Sequence, residues 1–301
     1  MFKVTVILKG GLGNQMFQYA FGKALAKKNG ALLILDTVSG FKRDKVYKRK
    51  YALDKLNLPA TVKLTRTINI VYLYELLLER SGRLVKQMVN RRFYGSYIKE
   101  TSFSFPPLED LADTNHSILI DGFWQNEKYF DQVQNEVKAD FSLGENAFPH
   151  LTTVAEKLSA DNAIAICIRH FEEMPGSTKS GVGGLTSLAF YEDAAAVLSK
   201  GIGDVKYYVF STTAGLLKER LRLNGTIEYL TADEGYDNET ETLWLLTHCK
   251  KQVIANSSFY WWGAWLAEKK NSYTKIIASK LFANPASVPA RWRTEWVNIH
   301  Q

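Results

Sequence analysis

The sequence contains few cysteines, few prolines and no long apolar run. Two cysteines in 301 residues, Cys167 and Cys249, cannot build a disulfide framework, and they lack the spacing of a metal site. We therefore expect a reducing compartment. No stretch approaches 18 uncharged apolar residues, and the N-terminus has no signal-peptide cleavage site. These absences argue against a membrane-spanning or exported chain and predict a cytoplasmic protein.

The composition is that of a globular protein. Hydrophobic residues make up 46% of the chain and charged residues 23%, which excludes disorder and a fibrous repeat. Seven prolines and 20 glycines leave no room for a low-complexity linker. A length of 301 residues fits two domains or one large domain.

Positive charge is concentrated in the first third of the chain. Residues 1–110 carry 20 Lys and Arg against 8 Asp and Glu, a net charge of +12, whereas the whole chain carries +7. Such an asymmetry indicates an anionic partner for this part. The densest cluster contains Lys42, Arg43, Lys45, Lys48, Arg49 and Lys50.

Three interpretations of the basic cluster remain open. It is a solvated loop, or it contacts an anionic membrane surface, or it binds a phosphorylated acceptor. Nucleic acid is not expected as a partner, because a single aromatic residue, Tyr47, lies within the cluster, and a base-stacking platform requires several that interleave with the basic residues.

Apolar periodicity predicts strands that alternate with helices in both halves. The opening gives a strand over 4–8, a glycine-rich turn, a helix over 15–28 and a strand over 31–35, the start of a parallel α/β sheet. A second series begins with a strand over 163–168. The sequence thus predicts two Rossmann-like domains facing across a cleft, with domains over 1–150 and 151–301. Further predicted elements are a helix over 68–90, a strand over 117–121, a helix from about 127, helices over 188–200, 214–223, 239–249 and 259–269, and strands over 206–210, 226–230, 252–255 and 275–278.

The first turn, Gly10 to Gln15, lies between a strand and a helix N-terminus. Free backbone N–H groups and the helix dipole favour an anion there, and glycines allow a ligand to approach the backbone. The turn is neither a P-loop nor a complete dinucleotide-binding motif. A plain tight turn explains it equally well.

A second polar turn, Asn256-Ser257-Ser258, joins a predicted strand to a helix that contains three tryptophans. Ser257 and Ser258 are good N-cap residues, and the same hydroxyl and N–H groups suit the oxygens of a diphosphate. Both interpretations stay open. The helical spacing of Trp261, Trp262 and Trp265 predicts core packing rather than ligand contact.

Three blocks of the sequence resemble the α-1,2-fucosyltransferases of glycosyltransferase family 11. The opening GGLGNQMFQYAFGKALA is close to the N-terminal signature of that family. The segment DGFWQNEKYF, which starts at Asp121, is similar to its DGYFQSEKYF block. The stretch from LTHCK through IANSSFYWWGAWLAE resembles its last and most distinctive block. The resemblance extends from residue 5 to about 296.

The resemblance implies a GT-B-like α/β fold and an inverting transfer of L-fucose from GDP-β-L-fucose to the 2-hydroxyl of a terminal galactoside. It also implies no cofactor and no metal, and the sequence offers no Asp-x-Asp motif on a suitable loop. The donor-binding residues that we expect are Gly11, Gly13, Asn14, Gln15, Arg169, Ser211, Thr212, Asn256, Ser257 and Ser258. The acceptor-binding residues that we expect are Asp121, Trp124 and Gln125.

The central motif departs from the family pattern. Members usually show His-x-Arg-Arg-x-Asp, whereas this chain has Cys167-Ile168-Arg169-His170-Phe171-Glu172. The family implies that Arg169 holds the β-phosphate, and a guanidinium can bind a phosphate through two hydrogen bonds. Another departure is Phe210-Ser211-Thr212-Thr213, where relatives often have two acids. These changes leave open an alternative, a catalytically impaired nucleotide-sugar-binding protein.

The general base is predicted less sharply. His170, Glu172 and Glu173 follow Arg169 and either remove the proton of the acceptor hydroxyl or orient Arg169. We assign Arg169, His170 and Glu172 as the catalytic candidates. The acceptor of such an enzyme is expected to be a bacterial glycan, in one version lipid-linked at the inner membrane face, where the basic cluster would add a peripheral contact.

Overall fold

A computed structural model describes residues 1–45, 47–70, 72, 96–100, 116–169 and 186–279. The chain divides into two compact units, Met1–Ser142 and a second that begins at Leu143. The sequence pattern put this division a few residues later, between 150 and 151. Most of the predicted helix over 68–90 lies outside the described residues. Within the described ranges, no helix is both long and apolar enough to cross a bilayer.

The first unit is built on a parallel sheet of five strands in the order β3-β2-β1-β5-β4. The predicted strands β1, β2 and β5 and the first helix are confirmed, whereas β3 and β4 were not predicted. Strand β3 has three residues and none is buried, so it carries no hydrophobic signal. The elements are β1 Lys3–Ile7, α1 Leu12–Lys28, β2 Leu32–Asp36, β3 Lys63–Thr65, β4 Ser96–Lys99, β5 Ile118–Asp121 and α2 Gln134–Phe141. Two 3₁₀ turns, Glu127–Tyr129 and Asp131–Val133, precede α2 where a continuous helix was expected.

The second unit repeats this plan with the strand order β10-β9-β6-β7-β8, all neighbours parallel. The first strand of the unit, β6, lies at the centre, and the chain moves outward to β8 before it returns to β9. All its strands were predicted. The elements are α3 Thr152–Leu158, β6 Ala163–Cys167, α4 Leu188–Ser199, β7 Lys206–Ser211, α5 Gly215–Arg220, β8 Thr226–Thr231, α6 Glu239–Leu246, β9 Lys251–Ile254, α7 Ser258–Lys270 and β10 Lys275–Ala278.

The core of the second unit explains why its strands were easy to predict. Every residue of β6 is buried, as expected for the central strand of a parallel sheet that helices cover on both faces. The three tryptophans of α7 are 0% exposed, which confirms that they pack in the core. Gly263 lets α7 approach α6, because a Cβ there would lie 2.7 Å from Leu246 Cδ1. Cys167 and Cys249 are both free and buried.

Candidate active site

Three predicted donor-site residues lie at one level on the carboxyl edge of the second sheet. Cys167 is paired with Phe210 on one side and with Ile254 on the other. Arg169, Thr212 and Asn256 each follow one of these residues by two positions. Neighbouring strands are about 4.8 Å apart, so the three loops start side by side.

This edge contains the point where the strand order reverses. The chain leaves β6 toward β7 and later returns to β9 on the opposite side of β6. In open α/β sheets ligands bind at such a point, outside the carboxyl ends of the strands. Arg169 and Ser257 lie on its two sides.

Arg169 is exposed, and no described carboxylate forms an ion pair with it. Its backbone is held from below: the N–H of Ile168 donates to the Phe210 carbonyl over 2.8 Å. The Tyr260 hydroxyl lies 3.3 Å from the carbonyl oxygens of both Ile168 and Phe210. The exposed guanidinium therefore extends from a backbone that is fixed by hydrogen bonds, as an anion-binding group should.

Ser257 is the N-cap residue of α7, yet its side chain makes no capping hydrogen bond. The residue is 4% exposed, and its hydroxyl forms no hydrogen bond with the described residues. N-cap serines normally bind an N–H group of the first turn. Within the described part of the chain, the Ser257 hydroxyl thus remains available to an anion at the N-terminus of this 13-residue helix.

The loop after β7 is ordered by an acid that the sequence reasoning did not single out. The Asp233 carboxylate accepts the Ala214 N–H at 3.0 Å and the Thr231 hydroxyl at 2.5 Å. The Thr231 hydroxyl and then the Ala214 N–H lower the pKa of Asp233. Ser211 is buried at the end of β7, whereas Thr212 and Thr213 are exposed. Asp233 therefore fixes the loop that presents the two threonines.

The departure at Cys167 does not reach the surface. This thiol is 0% exposed, and burial raises its pKa well above the ordinary value, so it stays neutral. Because it is buried, the Cys167 thiol cannot contact a ligand in this conformation. His170 and Glu172, the two candidate bases next to Arg169, lie outside the described residues.

The glycine-rich turn of the first unit is confirmed as a strand-to-helix connection. Gly10 has φ +78°, a left-handed conformation that favours glycine, and a Cβ there would lie 2.5 Å from Asn14 Nδ2. Gly11 is the N-cap residue of α1, without a side-chain cap. Gly13 lies buried in the first turn of this helix. The turn thus presents backbone near a helix N-terminus, as an anion site requires.

The two polar side chains of this turn have different surroundings. Asn14 accepts a hydrogen bond from the Gln125 amide at 2.6 Å. This bond joins a residue that we expected to bind the nucleotide sugar to one that we expected to bind the acceptor glycan. Gln15 is 0% exposed, and its amide is engaged by the carbonyls of Gly10 and Lys50 and by the N–H of Ala52, each at 2.9 Å. Gln15 therefore holds the loop, and its buried amide is not available to bind the nucleotide-sugar donor.

An ion pair lies where the strand order of the first sheet reverses. The Lys9 ammonium is 2.6 Å from Asp121 Oδ1, and the Tyr97 hydroxyl donates to Asp121 Oδ2 at 3.0 Å. Lys9 also lies 5.1 Å from the centre of the Phe123 ring. Asp121 is only 4% exposed, so its carboxylate is oriented by these two partners. The sequence reasoning found Asp121 but missed Lys9, which lies two residues after the end of β1.

The turn after Asp121 is held by Glu100. Its carboxylate accepts the N–H groups of Phe123 at 2.6 Å and of Trp124 at 3.2 Å. Burial raises the pKa of Glu100, although these two N–H groups oppose the shift. Trp124 has φ +54°, an unfavourable value for a bulky residue.

Trp124 itself is not at the surface. It is 2% exposed and stacks on Phe21 with 4.3 Å between ring centres. Its buried indole N–H has no hydrogen-bond partner in the described part of the chain. Trp124 was expected to bind the acceptor, but in this conformation it packs the core of the first unit. Among the described residues, no three His, Cys, Asp or Glu side chains come together as metal ligands.

Comparisons with known proteins agree with this architecture. The model of glycosyl transferase family 11 matches residues 110–300, more than half of the chain. The chain belongs to glycosyl transferase family 11. An α-1,2-colitosyltransferase of Escherichia coli is 28% identical over 269 residues and covers 87% of each chain. The O-antigen biosynthesis glycosyltransferase WbnK of Escherichia coli is 24% identical, covering 86% of this chain and 88% of its own.

Solved structures support the predicted fold class. The fucosyltransferase NodZ from Bradyrhizobium superposes with a TM-score of 0.52 at 13% identity, covering 88% of this chain and 92% of its own. A mutant of Arabidopsis thaliana FUT1 in complex with GDP gives 0.51 at 14% identity, over 92% and 69%. At this identity the likeness concerns the fold alone. The predicted GT-B-like α/β fold is confirmed.

Proposed function

We propose that this family 11 glycosyltransferase is an inverting α-1,2-fucosyltransferase. It would move L-fucose from GDP-β-L-fucose to the 2-hydroxyl of a terminal galactoside in a bacterial glycan. The observation that carries the proposal is the exposed Arg169 together with the non-capping hydroxyl of Ser257, which follow two neighbouring strands at the carboxyl edge of the second sheet. Support for the donor comes from NodZ, of which one structure was soaked with GDP-fucose.

The chemistry requires stabilisation of the leaving group. The acceptor oxygen attacks C1 of fucose from the face opposite GDP, and the bond from C1 to the β-phosphate oxygen breaks with its electrons on GDP. Negative charge therefore grows on the β-phosphate as the bond lengthens. A guanidinium and free helix N–H groups fixed before the reaction would stabilise this charge. Arg169 and the start of α7 supply both kinds of group.

The hydroxyl proton needs an acceptor as the new bond forms. His170 and Glu172 remain our candidates, one as base and the other as a partner that orients Arg169. In the first unit, the paired Lys9 and Asp121 with Tyr97 offer an oriented polar surface for sugar hydroxyls. We assign Asp121 to acceptor binding on this ground, and Gln125 because it is oriented by its hydrogen bond to Asn14.

The direct test measures GDP release from GDP-fucose with lactose or another galactose-terminated glycan. We expect product in which fucose is α-linked to O2 of galactose, identified by NMR. Binding of GDP-fucose without any transfer would instead support the catalytically impaired nucleotide-sugar-binding protein. An absence of affinity for every nucleotide sugar would refute both.

A second donor is favoured by the relative of Escherichia coli that is named as an α-1,2-colitosyltransferase. Colitose is L-fucose without its 3-hydroxyl. A site that binds this hydroxyl would reject GDP-colitose strongly, because a buried polar group would lose its partner. Competition between the two donors at equal concentration therefore distinguishes the two activities. A kcat/KM ratio above about 100 in either direction would identify the donor.

A further inference from the structure

The basic cluster of the first unit borders an open pocket of about 220 Å³. Lys42, Arg49 and Lys50 line it together with the rings of Phe41 and Tyr51. The pocket lies beyond the carboxyl end of β2, the strand next to β1. It is therefore on the same edge of the sheet as the glycine-rich turn.

The lysines around this pocket are not neutralised by the described part of the chain. Lys42, Lys45, Lys48 and Lys50 form no ion pair with any described carboxylate. Asp44 is the one acid between residues 37 and 51. Its carboxylate accepts the backbone N–H groups of Tyr47 at 2.8 Å and Arg49 at 3.0 Å. Asp44 thus shapes the loop, while the surplus of positive charge remains.

Both ends of the cluster are fixed. At the start, Asp36 accepts the N–H groups of Val38 at 3.0 Å and Ser39 at 2.8 Å. At the end, the buried Gln15 binds the Lys50 carbonyl and the Ala52 N–H. The pocket walls are therefore held in place before a ligand arrives, which reduces the entropy lost on binding.

Arg49 connects the pocket with the glycine-rich turn. A Cβ on Gly11 would lie 3.8 Å from Cζ of Arg49, so the guanidinium lies against the turn. Burial, with a smaller effect of Asp54, raises the pKa of Tyr51 to about 12. The Tyr51 phenol therefore stays protonated at neutral pH and can donate a hydrogen bond.

The size and charge of the pocket select its ligand. A volume of about 220 Å³ is below the roughly 300–1,000 Å³ of pockets that enclose a whole drug-sized ligand. Lysine and arginine bind phosphate oxygens strongly. We propose that the pocket bounded by Lys42, Arg49 and Lys50 binds a phosphate or diphosphate ester carried by the acceptor substrate. This inference rests on the proposed function, because it assigns part of the acceptor.

The kinetic test uses two acceptors that share a terminal galactosyl disaccharide. One carries a diphosphate at its reducing end, and the other carries a neutral benzyl group. For the wild-type chain, we expect kcat/KM to be at least about tenfold higher with the diphosphate. In the variant Lys42→Gln/Lys50→Gln, the ratio between the acceptors should fall to about one. Gln15 contacts the backbone of Lys50, so its hold on the loop persists.

A matched control is Lys55→Gln/Lys63→Gln, which removes the same charge from exposed positions of the same unit. It should keep the wild-type ratio. A wild-type ratio near one, or a preference that survives in the Lys42/Lys50 variant, would overturn the proposal.

Calorimetry separates this inference from the proposed function. Inorganic pyrophosphate is titrated in the presence of saturating GDP, which occupies the donor site. We expect binding that the Lys42→Gln/Lys50→Gln variant weakens about tenfold. If neither acceptor reacts with any donor but this binding remains, the proposed function fails and the phosphate site stands. If pyrophosphate does not bind, the phosphate site is refuted.

A vesicle experiment distinguishes the two sources of phosphate. Pelleting is compared for phosphatidylglycerol–phosphatidylcholine vesicles and for phosphatidylcholine alone. We expect the two variants to pellet alike with the anionic vesicles. If the Lys42→Gln/Lys50→Gln variant alone detaches from them and the acceptor ratio does not change, the pocket binds a lipid headgroup, and its assignment to the substrate is wrong.

Discussion

The two sheets have related strand orders but differ in how their carboxyl edges use polar groups. In the second unit, Arg169 is exposed and forms no ion pair with a described carboxylate, and the Ser257 hydroxyl leaves its helix uncapped. In the first unit, Lys9 binds Asp121, and Gln15 joins two loops. The second edge has strong hydrogen-bonding capacity left for a ligand, whereas much of the first edge is satisfied internally.

This difference indicates how the two units would share the work. A doubly charged diphosphate gains most from groups that have no other partner. A neutral sugar gains more from side chains whose orientation is already fixed, because hydroxyl groups are selected by geometry. Substitutions of Arg169 and Ser257 should therefore reduce ligand binding and rate, whereas a substitution of Gln15 should first reduce stability.

The largest effect is expected from Arg169. Arg169→Ala should reduce kcat/KM by about 100-fold to 1,000-fold, because one group that stabilises the developing charge is lost. Arg169→Lys should recover little of this, since lysine cannot make the two parallel hydrogen bonds of a guanidinium. The melting temperature should not change. Arg66→Lys, at another exposed arginine, serves as the control. Near-normal turnover of Arg169→Lys would remove this residue from the mechanism.

Gln15→Glu tests the internally satisfied edge. A carboxylate cannot donate to the carbonyls of Gly10 and Lys50, and the Ala52 N–H alone would not offset the burial of its charge. We expect a loss of about 3 kcal/mol in unfolding free energy, read by thermal denaturation as a lower Tm of the first unit. Gln132→Glu, on an exposed residue, should leave Tm unchanged. An unchanged Tm for Gln15→Glu would contradict the role of the Gln15 amide in joining the two loops.

Two serines at helix N-termini sharpen the comparison within the second unit. The Ser187 hydroxyl caps α4 by accepting the Phe190 N–H at 3.3 Å, whereas that of Ser257 caps nothing. Ser187→Ala should cost about 1 kcal/mol and lower Tm by about 2–4 °C. Ser257→Ala should leave Tm unchanged and raise the KM for the nucleotide sugar about tenfold. A Tm loss with an unchanged KM for Ser257→Ala would reverse the assignment.

The smallest effect is expected from metal removal. If protein groups stabilise the leaving GDP, excess EDTA should change the rate by less than about twofold. The measurement compares initial rates with EDTA, Mg²⁺ and Mn²⁺. A rate that disappears with EDTA and returns with Mg²⁺ would show that a cation shares this role.

The sequence pattern predicts elements whose residues are buried together. Strand β6 is apolar throughout, and Gly10 lies where only a turn fits. Strand β3 was missed because it is short and exposed. Gln15 was predicted to bind the donor because it belongs to the glycine-rich turn. The sequence could not show its partners Lys50 and Ala52, which are 35 and 37 residues away, since no local pattern contains such contacts. Trp124 was predicted to bind the acceptor because it lies in the segment that resembles a family block. Its stacking on Phe21 joins distant segments and was likewise not visible in the sequence.

The hydrogen bonds of Gln15 to the backbone have a consequence for how such enzymes diversify. Asp36 fixes one end of the basic segment and Gln15 fixes the other by binding the backbone of Lys50 and Ala52. Backbone anchors do not depend on the side chains between them. The residues from 41 to 49, apart from Asp44, can therefore be exchanged as a cassette, while the glycine-rich turn keeps its shape. Acceptor preference could then be changed, in evolution or in the laboratory, without rebuilding the sheet beneath it.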